Sequence, residues 1–176
     1  MSIERFSGGF IMLSENMLAA RALLADTTPL KTDCGLLCSH ACCKPSGDAG
    51  EAVWLFPEEE DTDMPWGKKV LSVMPVTGTK VVSLWCDGFC SREARPFQCM
   101  IFPLVPYYSK KKNAWSVRMD RRAYAVCPLT SYGKKGLNPE FVINAEKAVR
   151  LISETETGER FLETLAREEE AYRITL

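Results

Sequence analysis

Residues 34–43 read CGLLCSHACC, and this stretch decides how the rest of the chain is interpreted. It holds four of the eight cysteines: Cys34, Cys38, Cys42 and Cys43. Three further cysteines follow at Cys86, Cys90 and Cys99, and the last is Cys127, directly before Pro128. A soft metal needs several thiolates that converge on one point, and short spacings lower the entropy lost when the ligands are brought together. The pattern therefore predicts a metal site to which all eight cysteines are candidate ligands.

The arrangement of residues 34–43 limits how these ligands are shared. If the stretch is helical, Cys34, Cys38 and Cys42 lie within about 80° of one another, and Cys43 points roughly 100° away from Cys42. Three thiols would then share one metal, and Cys43 would serve another site or the core. Gly35 and the adjacent Cys42–Cys43 pair also permit a looped arrangement. Eight thiols are compatible with two four-thiolate sites, one binuclear site, or one site with uninvolved cysteines.

Two other residues near the cysteines bear on the chemistry of the site. Arg95 is the expected hydrogen-bond donor to the thiolates, because Pro96 stiffens its connection to Cys99 and a four-thiolate site carries excess negative charge. His40, the only histidine, points away from the cysteine face of a helical segment, so a solvent-facing position is favoured over ligation. Cys86 and Cys90 supply two ligands, and a closed site requires four. We therefore expect Cys99 or Cys127 to join a thiol from an earlier group.

Length and composition indicate an ordinary globular chain of 176 residues, with 46% apolar and 26% charged residues. We expect a single domain, 1–176, with a cysteine-cluster core at 34–129 and a C-terminal helical pair at 138–173. A net charge of −1 favours neither nucleic acid nor a membrane surface as a partner. The expected partner is a metal ion or cluster; a protein partner and the oligomeric state stay open. No export signal or membrane-spanning run is visible, which favours a reducing cytoplasm.

The pattern of apolar residues predicts an α+β fold: a small, mainly antiparallel sheet, an N-terminal helix and a C-terminal helical pair. Ser14 and Asn138-Pro139 are helix start signals. The N-terminal helix, 14–25, is expected to bury Leu18, Ala22 and Ala25. Gly158 is expected to separate the last two helices. The predicted strands are Ala52–Phe56, Val70–Val76, Lys80–Trp85, Leu104–Tyr108 and Ala114–Met119.

The acidic stretch Glu58–Asp63 contains five carboxylates in six residues. Such a charge run is typical of a solvated loop, which is how we interpret it.

The ordered cysteines, together with ARPFQCMIFP (Arg95–Pro103) and the final Cys127-Pro128, resemble the YkgJ-like family of zinc- or iron-chelating cysteine-cluster proteins. The resemblance covers about residues 34–129. It departs from the commoner Cys-x2-Cys opening, because this chain has Cys34-x3-Cys38. What the resemblance implies is a metal site of zinc or an iron–sulfur cluster. A related cysteine cluster occurs in the flagellin lysine methylase family.

Three functions are compatible with this sequence. The first is a metal-binding protein with a structural or accessory, electron-carrying role, which a saturated four-thiolate shell favours over hydrolysis. The second, by analogy with the flagellin lysine methylase cluster, is a metal-dependent enzyme acting on a protein substrate in a methyl-transfer-like reaction. The third is a metal-free thiol redox protein. No glycine-rich nucleotide loop or Ser/His/Asp set appears, so the question of enzymatic activity stays open, as does the choice between zinc and an iron–sulfur cluster.

Overall fold

A computed structural model describes residues 13–43, 52–88 and 90–174, with side chains described as far as Ala171. Within these ranges the chain is mixed α+β, with five α-helices and two small antiparallel sheets. The helices are α1 (Glu15–Leu24), α2 (Gly35–Cys38), α3 (Phe97–Ile101), α4 (Pro139–Ser153) and α5 (Glu156–Ile174). The strands are β1 (Val53–Trp54), β2 (Gly67–Val73), β3 (Lys80–Cys86), β4 (Leu104–Ser109) and β5 (Ala114–Met119). None of the described helices is both long enough and apolar enough to cross a membrane.

The two sheets are built from the predicted strands, at slightly different boundaries. The first has the order β1-β3-β2, with every pair antiparallel, and a turn containing Gly78 joins β2 to β3. Gly78 has φ of +68°, a backbone conformation that glycine adopts without steric cost. The second sheet is the β4–β5 hairpin, whose lysine-rich tip is exposed to water. The first predicted strand is shorter than expected, because only Val53 and Trp54 pair with β3.

Helix α1 begins as predicted, but it buries a different face. The Ser14 side chain accepts a hydrogen bond from the Met17 N–H, which caps the helix. The expectation that Leu18, Ala22 and Ala25 lie inside is wrong, since all three are exposed. Another set with helical spacing, Met17, Ala20 and Leu24, is buried instead. The long apolar side chains Met17 and Leu24 bury more surface than two alanines would.

Helices α4 and α5 complete the core. Asn138 caps α4 by accepting from the Glu140 N–H, and α4 packs against α1 and β5. Helix α5 packs against β4. The prediction that Gly158 breaks the helix is wrong, because α5 begins at Glu156 and includes it. A Cβ at position 158 would lie 2.2 Å from the Ile152 carbonyl oxygen, so glycine is required by the close approach of α5 to α4.

The interpretation of Glu58–Asp63 as a solvated loop is wrong for Glu59, whose relative exposure is 0%. Its carboxylate accepts hydrogen bonds from the Arg21 guanidinium (2.8 Å), the Phe97 N–H (2.8 Å) and the Phe56 N–H (3.2 Å). A buried charge is tolerated where it is paired and fully hydrogen-bonded. Glu59 therefore joins α1, the β1 region and α3 from inside the molecule.

Candidate metal centre

The first cysteines lie on a short helix followed by a reversal of the chain. Cys34 and Cys38 are four residues apart at the two ends of α2, and the Cys38 sulfur lies 3.9 Å from the Cys34 carbonyl oxygen. Ser39 and His40 then adopt left-handed backbone conformations, with φ of 51° and 55°. The segment is thus not one continuous helix. His40 folds back over Gly35, where a Cβ would lie 2.1 Å from its ring.

Cys42 and Cys43 follow in a 3₁₀ turn, Ala41–Cys43. Their sulfurs are 3.9 Å apart, and either thiol is able to donate to the other. Cys42 is exposed and Cys43 is partly buried. Donation from Cys42 lowers the pKa of Cys43 to about 6, helped by Arg95 and His40. The same contact raises the pKa of Cys42, with burial and neighbouring thiols adding to it.

Cys86 and Cys90 flank the end of the first sheet. Cys86 is the last residue of β3, and Gly88, with φ of 93°, reverses the chain after it. The Gly88 N–H donates to the Cys86 sulfur over 3.4 Å. Burial raises the pKa of the Cys86 thiol, and the Gly88 N–H opposes this effect. Hydrogen bonds from backbone N–H groups to sulfur are typical of protein-bound metal thiolates.

Cys99 lies in α3, which two long-range hydrogen bonds hold in place. The Phe97 N–H donates to Glu59, and the Gln98 side-chain amide donates to the Trp54 carbonyl over 2.7 Å. Burial raises the pKa of the Cys99 thiol, and three neighbouring thiols raise it further: Cys43, Cys90 and Cys86. Cys99 thus lies within electrostatic range of cysteines that are distant from it in sequence.

Cys127 precedes a 3₁₀ turn that begins with Pro128. Burial raises the pKa of the Cys127 thiol, and the backbone N–H groups of Leu129 and Thr130 oppose this effect. The Thr130 N–H also donates to the Cys127 carbonyl oxygen over 3.2 Å. The charge of Cys38 also acts on this thiol. Cys34 in turn has its pKa raised by burial, then by Asp33, Cys38 and Cys127. The final cysteine of the chain therefore lies near the first two.

The influence of these thiols on one another falls into two sets that the Cys42–Cys43 contact connects, since charges act strongly only over about a Debye length or less. The charge on Cys42 is influenced by Cys38 and Cys34 as well as by its neighbour Cys43. The Cys34 group consists of Cys34, Cys38, Cys42 and Cys127. The Cys99 group consists of Cys43, Cys86, Cys90 and Cys99. The structure thus brings together cysteines from the beginning, middle and end of residues 34–129.

Arg95 lies beside the Cys99 group. Burial alone would lower the pKa of Arg95, but hydrogen bonding to Cys90 and the charges of Cys43 and Cys99 outweigh it and raise the pKa. Its charge also acts on Cys34. The Arg95 Nε atom is buried and has no hydrogen-bond partner in the described residues. A buried N–H donor without an acceptor is costly, so Arg95 has donor capacity that the described residues leave unused.

The loop that carries Arg95 is fixed to α1 by two other arginines. Arg92 donates to the Ala25 carbonyl and, over 2.7 Å, to the Thr27 carbonyl at the end of α1. Arg21 donates to the Glu93 carbonyl over 2.7 Å. These contacts, like the N–H donors at Gly88, Leu129 and Thr130, were not foreseen from the sequence. Gly88 between two cysteines and Pro128 after Cys127 are the local signals that could have indicated the N–H donors.

The cysteine side chains have the chemistry that a thiolate-bound metal requires, but their sulfurs are too far apart to bind one as they stand. In residues 13–43, 52–88 and 90–174, no three Cys, His, Asp or Glu side chains lie close enough together to hold a metal ion as they stand. Each cysteine side chain turns about one bond, χ1, with three staggered positions. Ligation would therefore require the sulfurs of a group to rotate towards a common point. His40 is exposed, as expected, and lies near Cys43.

Comparison of the chain with protein-family models, curated proteins and solved structures finds no match. The resemblance to the YkgJ-like family therefore stays a prediction.

Proposed function

We propose that this chain is a metal-binding protein whose eight cysteines chelate zinc or an iron–sulfur cluster. The observation that carries the proposal is that thiols from separate segments lie within electrostatic range of one another: Cys127 and Cys34 both feel the charge of Cys38, and Cys99 feels those of Cys43 and Cys86. Core packing alone does not require eight cysteines here, because other small apolar side chains would fill the same space. Thiolate ligands, in contrast, are required at close quarters in both zinc and iron–sulfur sites.

Hydrogen-bond donors around the sulfurs support this proposal. The Gly88 N–H donates to the Cys86 sulfur, and the N–H groups of Leu129 and Thr130 lower the pKa of Cys127. Hydrogen bonding to Cys90 raises the pKa of the Arg95 guanidinium. Donors of this kind stabilise a thiolate more than a neutral thiol. Four thiolates around a doubly charged ion leave two excess negative charges, and Arg95 would offset part of this charge. When bound, the metal would supply the positive charge that the chain itself does not provide.

The proposed role is structural or accessory, with electron transfer if the metal is an iron–sulfur cluster. A four-thiolate shell is coordinatively saturated and leaves no position for water or substrate. We place the protein in the cytoplasm, because all eight cysteines are free thiols and a reducing compartment preserves them.

Anaerobic purification followed by elemental analysis and absorption spectroscopy tests the proposal. A brown protein with iron and acid-labile sulfide would identify an iron–sulfur cluster, whereas a colourless protein with stoichiometric zinc would identify a zinc site. Purified protein that lacks both metals, and that takes up neither after reduction and reconstitution, would contradict the proposal. Formation of specific disulfides in that metal-free protein would favour a thiol redox function instead.

A further inference from the structure

We propose that the open edge of β2 pairs with the same edge of a second copy of this chain, so that the protein is a homodimer with one continuous antiparallel sheet. Strand β2 is the outer strand of the first sheet, whose order is β1-β3-β2. It contains none of the eight cysteines. The inference therefore does not rest on the proposed metal binding.

The backbone of β2 has hydrogen-bonding groups that face away from β3. In an antiparallel pair, alternate residues direct their N–H and C=O groups towards the partner strand and away from it. The Met74 N–H donates to the Thr79 carbonyl over 2.9 Å, so the even-numbered positions of β2 bond to β3. Lys69, Leu71 and Val73 therefore direct their backbone groups to the open edge. Within residues 13–43, 52–88 and 90–174, no strand pairs with this edge.

Apolar side chains at the same positions are exposed on the outer face of the sheet. Leu71 is 69% exposed and Val73 is 59% exposed. Leu71 lies opposite Val82 in the register of β2 with β3. Val82 packs against a small buried cluster that is separate from the main core. A strand added at this edge would cover exposed apolar side chains as well as backbone groups.

Strand β2 lacks the features that keep other sheet edges unpaired. Such edges are commonly short, bulged, interrupted by proline or lined with lysines that extend into water. Strand β2 pairs with β3 over Gly67–Val73, a stretch of seven residues without a bulge or a proline. Lys69 faces the open edge, but its ammonium donates to the carbonyls of Glu60 (2.7 Å) and Thr62. Because this charge is bound by its own chain, it protects the edge poorly.

The charges along β2 are compatible with antiparallel pairing of the strand with itself. Lys68 and Lys69 lie near its start, and its last three residues are uncharged. A two-fold axis at Leu71 places Leu71 opposite Leu71 of the second copy and Val73 opposite Lys69 of the second copy. The lysines of the two copies are then separated, whereas parallel pairing would place like charges side by side.

A basic side chain and an acidic loop also approach each other in this arrangement. Lys80 is exposed and lies opposite Val73 in the register of β2 with β3. Two strand spacings, about 10 Å, then separate the backbone of Lys80 from that of Lys69 in the second copy. Lys69 is bonded to the acidic loop 60–63, so Lys80 extends towards that loop of the second copy. The two-fold axis forms this contact twice, which favours a second copy over an unrelated strand.

Charge substitutions at Leu71 test the pairing, because the two Leu71 side chains lie opposite each other at the two-fold axis. Sedimentation velocity of the protein as purified, from micromolar to submillimolar concentration, should show a species of twice the chain mass of 19.7 kDa. Leu71→Lys and Leu71→Glu should each be monomeric, since like charges would be opposed. An equimolar mixture of the two variants should restore the dimer. Ile143→Lys alters an apolar residue of α4 that is 53% exposed, and this control should remain dimeric.

A monomer at every concentration would overturn the proposal and leave the edge to a strand from another protein. A dimer that persists in both Leu71 variants, or a mixture of the variants that stays monomeric, would overturn it as well. Hydrogen exchange of the unsubstituted protein provides a check that does not depend on the folding of variants. The N–H groups of Lys69, Leu71 and Val73 should exchange more slowly as the protein concentration rises, and exchange rates independent of concentration would contradict the pairing.

Discussion

The buried carboxylates and the clustered thiols solve the same problem in opposite ways. Glu59 and Glu168 are almost completely buried, and the chain itself supplies their partners. Glu59 has Arg21 and two backbone N–H groups, and Glu168 accepts from the Val76 N–H, the Thr77 N–H and the Thr77 hydroxyl. The thiols have a few N–H donors, and Arg95 is the cation held directly beside them.

The two kinds of site differ in whether the chain itself supplies enough hydrogen-bond donors and positive charge. The carboxylate sites have their donors in place and function as internal supports between elements. The cysteine groups have donors suited to thiolates, yet too little positive charge for several thiolates at once. Removing partners from the first kind of site, or metal from the second, should therefore have different consequences.

Metal removal should produce the largest effect. A structural zinc site contributes roughly 10–16 kcal/mol in zinc-finger peptides, because folding and binding are coupled. We expect chelation under reducing conditions to lower the free energy of unfolding by more than about 5 kcal/mol, as measured by urea denaturation. Cys90→Ser should cause part of the same loss. Identical urea midpoints for the loaded and chelated proteins would show that the fold around the cysteines does not need a metal ion.

The support supplied by Glu59 comes next. Glu59→Ala leaves Arg21 and the Phe97 and Phe56 N–H groups without their acceptor, and should cost about 3–5 kcal/mol of unfolding free energy. Asp61→Ala, in the same acidic stretch but exposed, is the matched control and should change stability by less than about 0.5 kcal/mol. Equal effects of the two substitutions would restore the interpretation of this stretch as a solvated loop.

Arg95 is the positively charged side chain beside the cysteines, as Arg21 is beside Glu59. Arg95→Met should weaken metal binding by about 10- to 100-fold, as for other residues that hydrogen-bond metal ligands, and Arg95→Lys should weaken it less. A chelator competition assay measures this affinity. Arg150→Met is the control: its contacts are with the Trp115 carbonyl and Glu146, so it should lower stability and leave metal affinity unchanged. Equal affinity losses for both arginines would assign Arg95 a merely structural role.

The smallest expected effect is at Glu146, a partly exposed carboxylate. Burial would raise its pKa, but hydrogen bonds from Lys134 (3.0 Å) and Ser116 (2.8 Å) outweigh it and lower the pKa. A lowered pKa stabilises the fold above the ordinary glutamate value of about 4.3, and this stabilisation is lost as the pH falls through the lowered value.

Glu146→Gln should therefore be less stable than the unsubstituted protein near pH 6, by about 1 kcal/mol or less, and the difference should shrink as the solution is acidified. Urea midpoints measured across this pH range provide the check. Glu163→Gln alters an exposed pair on α5 and should give no such trend. A difference that grew on acidification would mean that the pKa is raised.

Local patterns in the sequence were sufficient for the elements that depend on neighbouring residues. Ser14 and Asn138 cap their helices as predicted, and the β2–β3 and β4–β5 pairs lie close to their predicted bounds. The prediction of which face of α1 is buried was wrong, because alanines and leucines recur on more than one face of that helix. Which of these faces is buried depends on α4, a partner distant in sequence.

The candidate site shows the same limit. The sequence identifies eight cysteines and Arg95, but pairing Cys127 with Cys38, or Cys99 with Cys43, depends on how distant segments pack. Glu59 is the clearest case. A run of acidic residues looks uniform in sequence, and only the approach of Arg21 and α3 makes one member a buried support.

Metal release measured together with thiol modification tests the central claim most directly. Protein purified anaerobically is treated with a thiol reagent in the presence of a metal indicator, without denaturant. We expect the cysteines to react slowly and metal to be released in proportion to the thiols modified; prior chelation should make all eight react at once. Rapid reaction of all eight cysteines in untreated protein, with no metal released, would contradict the account.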